Sequence, residues 1–329
     1  MISKERSKER ISWIDTAKGF LMLCVIAGHT LRLGSIPKRM IYSFHIPLFV
    51  ILSGFTMGDV DCWKTYWLKL KKSFLSLYVP MLIIYFLEVF GYTVRDKLSP
   101  SEVIEKLYTT CVYAIHVPWF LCVLFWARLF YNLILVKKFE NPVLFILVFL
   151  SGFFICKISG FHGFYQQFER IPFFMFFLFC GRYARKYNVI EVLEKHAVLI
   201  LFFALIIWQI FLPHSYFDLG LFYLGDPRFA IPCSFVACLT VIILCRTVDS
   251  YLANGGKILR LPSFIGQHSI LLLAIHDLEF MFFPWHTNFT TRFDEYGTLL
   301  LRIAFDLAVW GCCLFVINLY KEYKRTKND

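Results

Sequence analysis

Two residues stand out first. Lys18 and His29 lie eleven positions apart in the otherwise apolar stretch DTAKGFLMLCVIAGHT, residues 15–30. An imidazole with an unperturbed pKa of ~6.5 suits general-base work near neutral pH. An ammonium suits an anion or a developing negative charge. In an α-helix, eleven residues turn the chain about 1100°, within ~20° of whole turns, and rise ~16 Å. The two side chains therefore share one face, three turns apart. Asp15 lies one turn before Lys18 and can pair with it. The plainer alternative is that Lys18 reaches out to a nearby interface while Asp15 neutralises it, and that His29 meets polar surroundings at a helix end.

Further ionisable groups sit in apolar runs. YSFHIPLFVILSGF, 42–55, carries His45 near its start and Ser53 further in. GQHSILLLAIHDLEF, 266–280, carries His276, Asp277 and Glu279. Arg302 and Asp306 are one helical turn apart and are expected to pair. Arg128 falls in the middle of another run. His29, His45 and His276 share one depth zone, which points to a polar pocket.

The elements that must position these groups follow from composition. The 329 residues are 58% hydrophobic and only 17% charged, with a mean hydropathy of +0.62. A soluble domain has about 25% charged residues, so most helices here must face lipid. A spanning helix needs ~20 mostly apolar residues. Candidate spans are 11–31, 41–58, 73–92, 117–136, 143–160, 170–187, 197–213, 229–248, 264–284 and 298–320. The expected fold is all-α: one polytopic membrane bundle of about ten transmembrane helices over residues 1–329, without a separate soluble domain. Pro47, Pro80, Pro118, Pro172, Pro232 and Pro284 fall near expected segment ends or first turns. The run after MISKERSKER is interrupted by Asp15 and Lys18 and is too long for a signal peptide, so it reads as an uncleaved first helix.

Lys and Arg set the orientation. With the N-terminus inside, the inner segments hold twenty-one, including Lys4, Arg6, Lys8, Arg10 and Lys257. The outer segments hold nine, including Arg170 and Arg292. Both termini are therefore expected in the cytoplasm, and the NFT sequon at 288–290 faces out. The net charge of +11 does not signal nucleic acid, because the cations punctuate apolar runs instead of gathering in one region. Most of the cysteines (Cys24, Cys122, Cys156, Cys180, Cys238, Cys245, Cys312, Cys313) lie inside apolar runs with no CxxC pair and no metal-ligand spacing, and read as small packing residues. NGGK, 254–257, lacks the upstream glycine of a P-loop, and no GxSxG or HExxH pattern is present.

The stretch IDTAKGFLMLCVIAGH resembles the first-helix signature of the acyltransferase 3 membrane proteins, a basic residue and a histidine with ten residues between. FHIPLFVILSGF (44–55), WFLCVLF (119–125), FFMFFLFCGRYARKY (173–187) and IGQHSILLLAIH (265–276) resemble further motifs of that family, in the family's order. Gln267 stands where lysine is common, and Leu273 and Ala274 about where tyrosine is.

The resemblance implies an integral membrane acyltransferase. It would take an acyl group, commonly acetyl, from cytoplasmic acetyl-CoA and place it on a hydroxyl of a surface polysaccharide or lipid-linked sugar, in the manner of the polysaccharide or fucose O-acetylase branch. The expected location is a bacterial cytoplasmic membrane. Expected partners are a carbohydrate or lipid-linked saccharide and the lipid bilayer. A homo-oligomer is an open alternative, and nucleic acid is not a partner.

A sugar hydroxyl is a poor nucleophile and needs a base at hydrogen-bond distance. His29 is the expected base, oriented by Asp306, Glu279 or Asp277. His45 and His276 would bind the acceptor or steer the acyl group. Lys18, then Arg128, would meet the anionic parts of coenzyme A or the thioester oxygen. Lys69, Lys71, Lys72, Arg182 and Arg185 would hold nucleotide phosphates, unless they are ordinary positive-inside residues. Asp15, Ser53, Trp119, Glu279, Arg302 and Asp306 are expected along the substrate route. No metal site is expected. The rival readings are a transporter or flippase for a sugar or small anion, and a catalytically silent membrane scaffold.

Overall fold

The computed structural model describes residues 11–109, 118–158, 168–221, 223, 225–253, 260–283, 285 and 293–328. Lys4, Arg6, Lys8, Arg10, the NGGK run, Arg292 and the sequon lie outside the described residues, as do the side chains of Cys156 and Lys157.

The described residues form helices and no β-strand: α1 (Ser12–Thr30), α2 (Ile36–Phe55), α3 (Trp63–Ser73), α4 (Val79–Asp96), α5 (Pro100–Tyr108), α6 (Trp119–Val136), α7 (Pro142–Ile158), α8 (Ile171–Lys186), α9 (Val189–Glu194), α10 (Ala197–Phe211), α11 (Pro227–Ala253), α12 (Leu261–Gln267), α13 (Ser269–Phe282) and α14 (Glu295–Asn328). Among the described residues, five helical runs are long and apolar enough to cross a membrane: Trp63–Asp96, Trp119–Val136, Ala197–His214, Pro227–Tyr251 and Glu295–Lys327. The other expected spans fall on α1, α2, α7, α8 and α13, which are shorter or, like α1 with Asp15 and Lys18, more polar.

α3 runs into α4 through a π-turn at Phe74–Tyr78. Such single wide turns relax the backbone where the normal ladder is interrupted, here two residues before Pro80, which has no N–H to give. Pro47 and Pro232 lie inside helices, not in first turns as expected. Both helices begin earlier than hydropathy placed them, α2 at Ile36 and α11 at Pro227. The start of α2 is fixed by polar chemistry that hydropathy does not register. The Ser35 side chain accepts from the Lys38 N–H, and Pro37 stands in the first turn, where its missing N–H costs nothing.

α1 is central and packs on α2, α11, α12, α13 and α14. Two crossings are set by glycine. A Cβ on Gly19 would lie 1.9 Å from the Pro262 carbonyl oxygen, and one on Gly266 would lie 1.8 Å from that of Asp15, so α1 and α12 touch backbone to backbone. A Cβ on Gly54 would lie 2.1 Å from the Leu178 carbonyl oxygen, and one on Gly181 would lie 1.9 Å from that of Ile51, so α2 and α8 do the same. Small residues allow this close approach where lipid offers helices no hydrophobic reason to associate. Rings fill the α7–α8 interface, with Phe145 stacked on Phe179 at 4.7 Å and Phe149 against Phe176 at 4.3 Å. Phe86, Phe90, Val198, Phe202, Phe315 and Val316 are exposed on the outer faces of α4, α10 and α14, as lipid contact requires.

Cys24, Cys122, Cys238 and Cys245 are buried and Cys180 half-buried, whereas Cys312 is exposed on α14. None is in a disulfide among the described residues.

Candidate active site

The site grows from two helical stripes. Lys18, Met22, Val25 and His29 recur along one face of α1. Tyr42, His45, Ile46, Phe49 and Ser53 recur along one face of α2, with Thr56 just past its end. These spacings of three, four and seven residues put each set on one side of its helix. The stripes wall a cavity of about 250 Å³, completed by Trp119, Leu124 and Arg128 of α6 and by Ser269, Ile270 and Leu273 of α13. Lys18 and His29 thus share one cavity, as their spacing predicts.

At the Lys18 end, Nζ lies 3.7 Å from the Asp15 carboxylate, the expected pair. Both residues also border a second cavity with Gln267, His268, Asn318 and Lys321. Arg128 brings a guanidinium into the main cavity without a carboxylate partner among the described residues. It is therefore available to an anion.

At the other end, the rings of His29 and His276 lie 5.2 Å apart. His276 is fully buried behind His29. Its Nδ1 lies 3.0 Å from Asp306 Oδ2 and 2.9 Å from Glu279 Oε1, while its Nε2 has no hydrogen-bond partner among the described residues. The Nε of Arg302 donates to Glu279 Oε1 at 2.5 Å, and its Nη1 donates to the Thr30 hydroxyl at 3.1 Å. The guanidinium lies 4.3 Å from the Phe280 ring centre.

Two expectations change here. Arg302 pairs with Glu279 of α13 and not with Asp306, because its side chain reaches across to the facing helix instead of along its own. Asp306 and Glu279 hold His276, not His29. The His276, Glu279 and Asp306 donor atoms lie within 4.8 Å of one another, a metal-sized grouping that no linear spacing announces. Arg302 already supplies a positive charge to it.

His45 is buried, and its Nδ1 donates to the Ile41 carbonyl at 2.9 Å. That bond fixes the tautomer and leaves Nε2 as an acceptor. Ser53 and Trp119 line the cavity, while Glu279, Arg302 and Asp306 stand behind it. Arg182 lies away from it, bonded to Asp59 at 2.6 Å and Glu140 at 2.9 Å. Lys69 and Arg185 donate to the backbone carbonyls of Asp59 and Phe55, and Lys72 is exposed in a shallow groove with Lys71.

Sequence reasoning missed Asp218 and Gly220, which line the cavity from the α10–α11 connection. No periodic signal marks a carboxylate in a loop. It becomes visible only when the loop folds back over the helix ends.

A family model described as an acyltransferase domain, Acyl_transf_3, matches residues 11–319. No curated protein and no solved structure matches the chain.

Proposed function

The chain belongs to the acyltransferase 3 family, and on that premise we propose that it moves an acyl group, acetyl in the first instance, from cytoplasmic coenzyme A to a hydroxyl of a surface polysaccharide or lipid-linked sugar. The observation that carries this reading is the single cavity bordered by Lys18 at one end of α1 and by His29 near the other. A donor that enters at one face of a membrane and an acceptor that waits at the other need such a shared route.

His29 takes the proton of the acceptor hydroxyl as its oxygen attacks the thioester carbonyl. The C–S bond then breaks, and the departing thiolate receives the proton from His29. Atoms and charge balance without another reactant. Arg128 and Lys18 meet negative charge on the donor or on the thioester oxygen as it develops. His45, with Nε2 as acceptor, holds an acceptor hydroxyl. The cavity beside Lys18 and Lys321 receives the anionic part of coenzyme A.

Ten crossings, both termini in the cytoplasm and a bacterial cytoplasmic membrane complete the reading. The bias of Lys and Arg toward alternate connections supports it.

The test uses purified full-length protein in lipid nanodiscs with radiolabelled acetyl-CoA. Label should reach a carbohydrate acceptor, and His29→Ala should lower kcat by about 10²–10⁴-fold with the protein still folded. Transport of an unmodified sugar that His29→Ala leaves untouched would overturn the assignment in favour of a carrier.

A further inference from the structure

The connection between α10 and α11 is built to hold a carboxylate still. Arg170, fully buried just before α8, donates from Nε to the Leu219 carbonyl at 2.6 Å and from Nη2 to the Gly220 carbonyl at 2.7 Å. Its guanidinium lies 5.3 Å from the Trp119 ring centre. Asp218 and Tyr223 exchange both backbone hydrogen bonds, at 2.8 and 2.9 Å. Gly225, at φ +56°, reverses the chain where a side chain would be strained. A solvated linker needs none of these devices. An arginine placed among the outer cations by topology is instead the pin of a loop.

The pinned loop delivers Asp218 to the cavity wall. Oδ1 accepts from the Leu221 N–H at 2.9 Å, and Oδ2 accepts from the Tyr216 hydroxyl at 3.3 Å. The Tyr216 ring is stacked on that of Tyr42 at 6.0 Å, and Tyr42 also lines the cavity. Lys38 places Nζ 5.3 Å from the Tyr42 ring centre and acts on Asp218, while Arg39 acts on Tyr216 at the same corner. Burial pushes the Asp218 carboxyl above its ordinary range, against the pull of the Leu221 N–H, the Tyr216 hydroxyl and Lys38. A buried carboxylate has about four lone-pair sites. A ligand that brings hydroxyl donors relieves the cost of leaving any of them unmet.

We propose that Asp218, with Tyr42 and Trp119, forms the acceptor subsite: the carboxylate accepts from ring hydroxyls of a pyranose while the aromatic side chains cover its C–H face. This rests on the acyltransferase reading, and it adds what selects the acceptor. Aromatic side chains with a polar tip suit a ligand that has one apolar and one hydroxylated aspect. A long-chain alcohol would instead call for a wall without a carboxylate, and Lys38 opposes an ammonium.

The experiment reads binding apart from transfer. In full-length protein, methyl α-L-fucopyranoside and methyl α-D-glucopyranoside are titrated against tryptophan fluorescence, with Trp119→Phe to identify the reporting ring. At least one glycoside should change the emission saturably, and Asp218→Asn should weaken that binding about 10–100-fold. In the transfer assay the same variant should raise acceptor KM more than it lowers kcat. Asp218→Glu, which keeps the charge, should recover part of the affinity. The proposal falls if neither glycoside binds the wild type, if Asp218→Asn binds as tightly as wild type, or if octanol is acylated as readily as the glycosides. Glycoside binding without any acetyl transfer would sink the enzymatic reading while leaving the subsite standing.

Discussion

His29 and His276 face each other with ring centres 5.2 Å apart, and of the two only His276 is gripped by carboxylates among the described residues. One imidazole borders the cavity, and the other is sealed behind it with Asp306 and Glu279 on Nδ1. The arrangement separates two tasks. On the proposed reading, His29 is the imidazole that meets substrate, and His276 is the one that shapes its polar surroundings.

Asp306→Asn tests that division. Loss of the carboxylate weakens the charged grip on His276, and kcat should fall about 10²-fold or more. Donor and acceptor KM should change little, because Asp306 lies behind the cavity wall. Steady-state kinetics with both substrates varied will show whether kcat alone moves. An equal loss in Asp306→Asn and Asp306→Glu would mean that shape, not charge, matters there.

Arg302→Met should be severe for a different reason. It strips the cation from a fully enclosed group and leaves Glu279 and Asp306 facing one another. Breaking a buried pair by removal of one partner costs about 3–5 kcal/mol. Thermal unfolding in detergent should show that loss. The double change Arg302→Met with Glu279→Gln should restore part of it.

Gly266→Ala should weaken the α1–α12 crossing. Its new methyl would fall 1.8 Å from a backbone oxygen, which cannot step aside as a side chain can. Forced overpacking of this kind costs about 1–3 kcal/mol or more. Gly311→Ala in α14 is the control, since nothing lies within 4 Å of its would-be Cβ. That change should be neutral or stabilising by about 0.4–1 kcal/mol. Melting curves of the two variants should move in opposite directions or, at the least, by very different amounts.

Asp218 carries a pH signature. Its folded-state pKa is raised by burial, so the folded protein holds this proton more tightly than the unfolded chain does. The associated stability is fully present below the ordinary Asp value of ~4 and is lost as pH rises through the higher folded value. Wild type should therefore lose stability relative to Asp218→Asn as pH rises from the acid range toward neutrality. A melting-point difference that does not vary with pH would show that burial does not raise the pKa of this carboxyl.

The motif residues divide into two kinds. Gly54, Gly181 and Gly266 fall in stretches that resemble family motifs, and in the folded chain they are contact points between helix backbones. Lys18, His29, His45 and Trp119 fall in similar stretches and border the cavity. Linear order does not tell a packing glycine from a site residue, because both sit in the same apolar runs.

Composition and hydropathy determined the all-helical membrane character, because backbone groups in lipid must be satisfied within each segment. Helical spacing alone put Lys18 on the face of His29, since α-helix geometry depends on neither partner nor depth. Tertiary structure decided the rest: that the carboxylates of α13 and α14 hold His276, that Arg302 crosses to Glu279, and that Arg170 brings Asp218 to the cavity. Each of these contacts depends on how helices cross and how a loop returns over them, and no period along the chain encodes that.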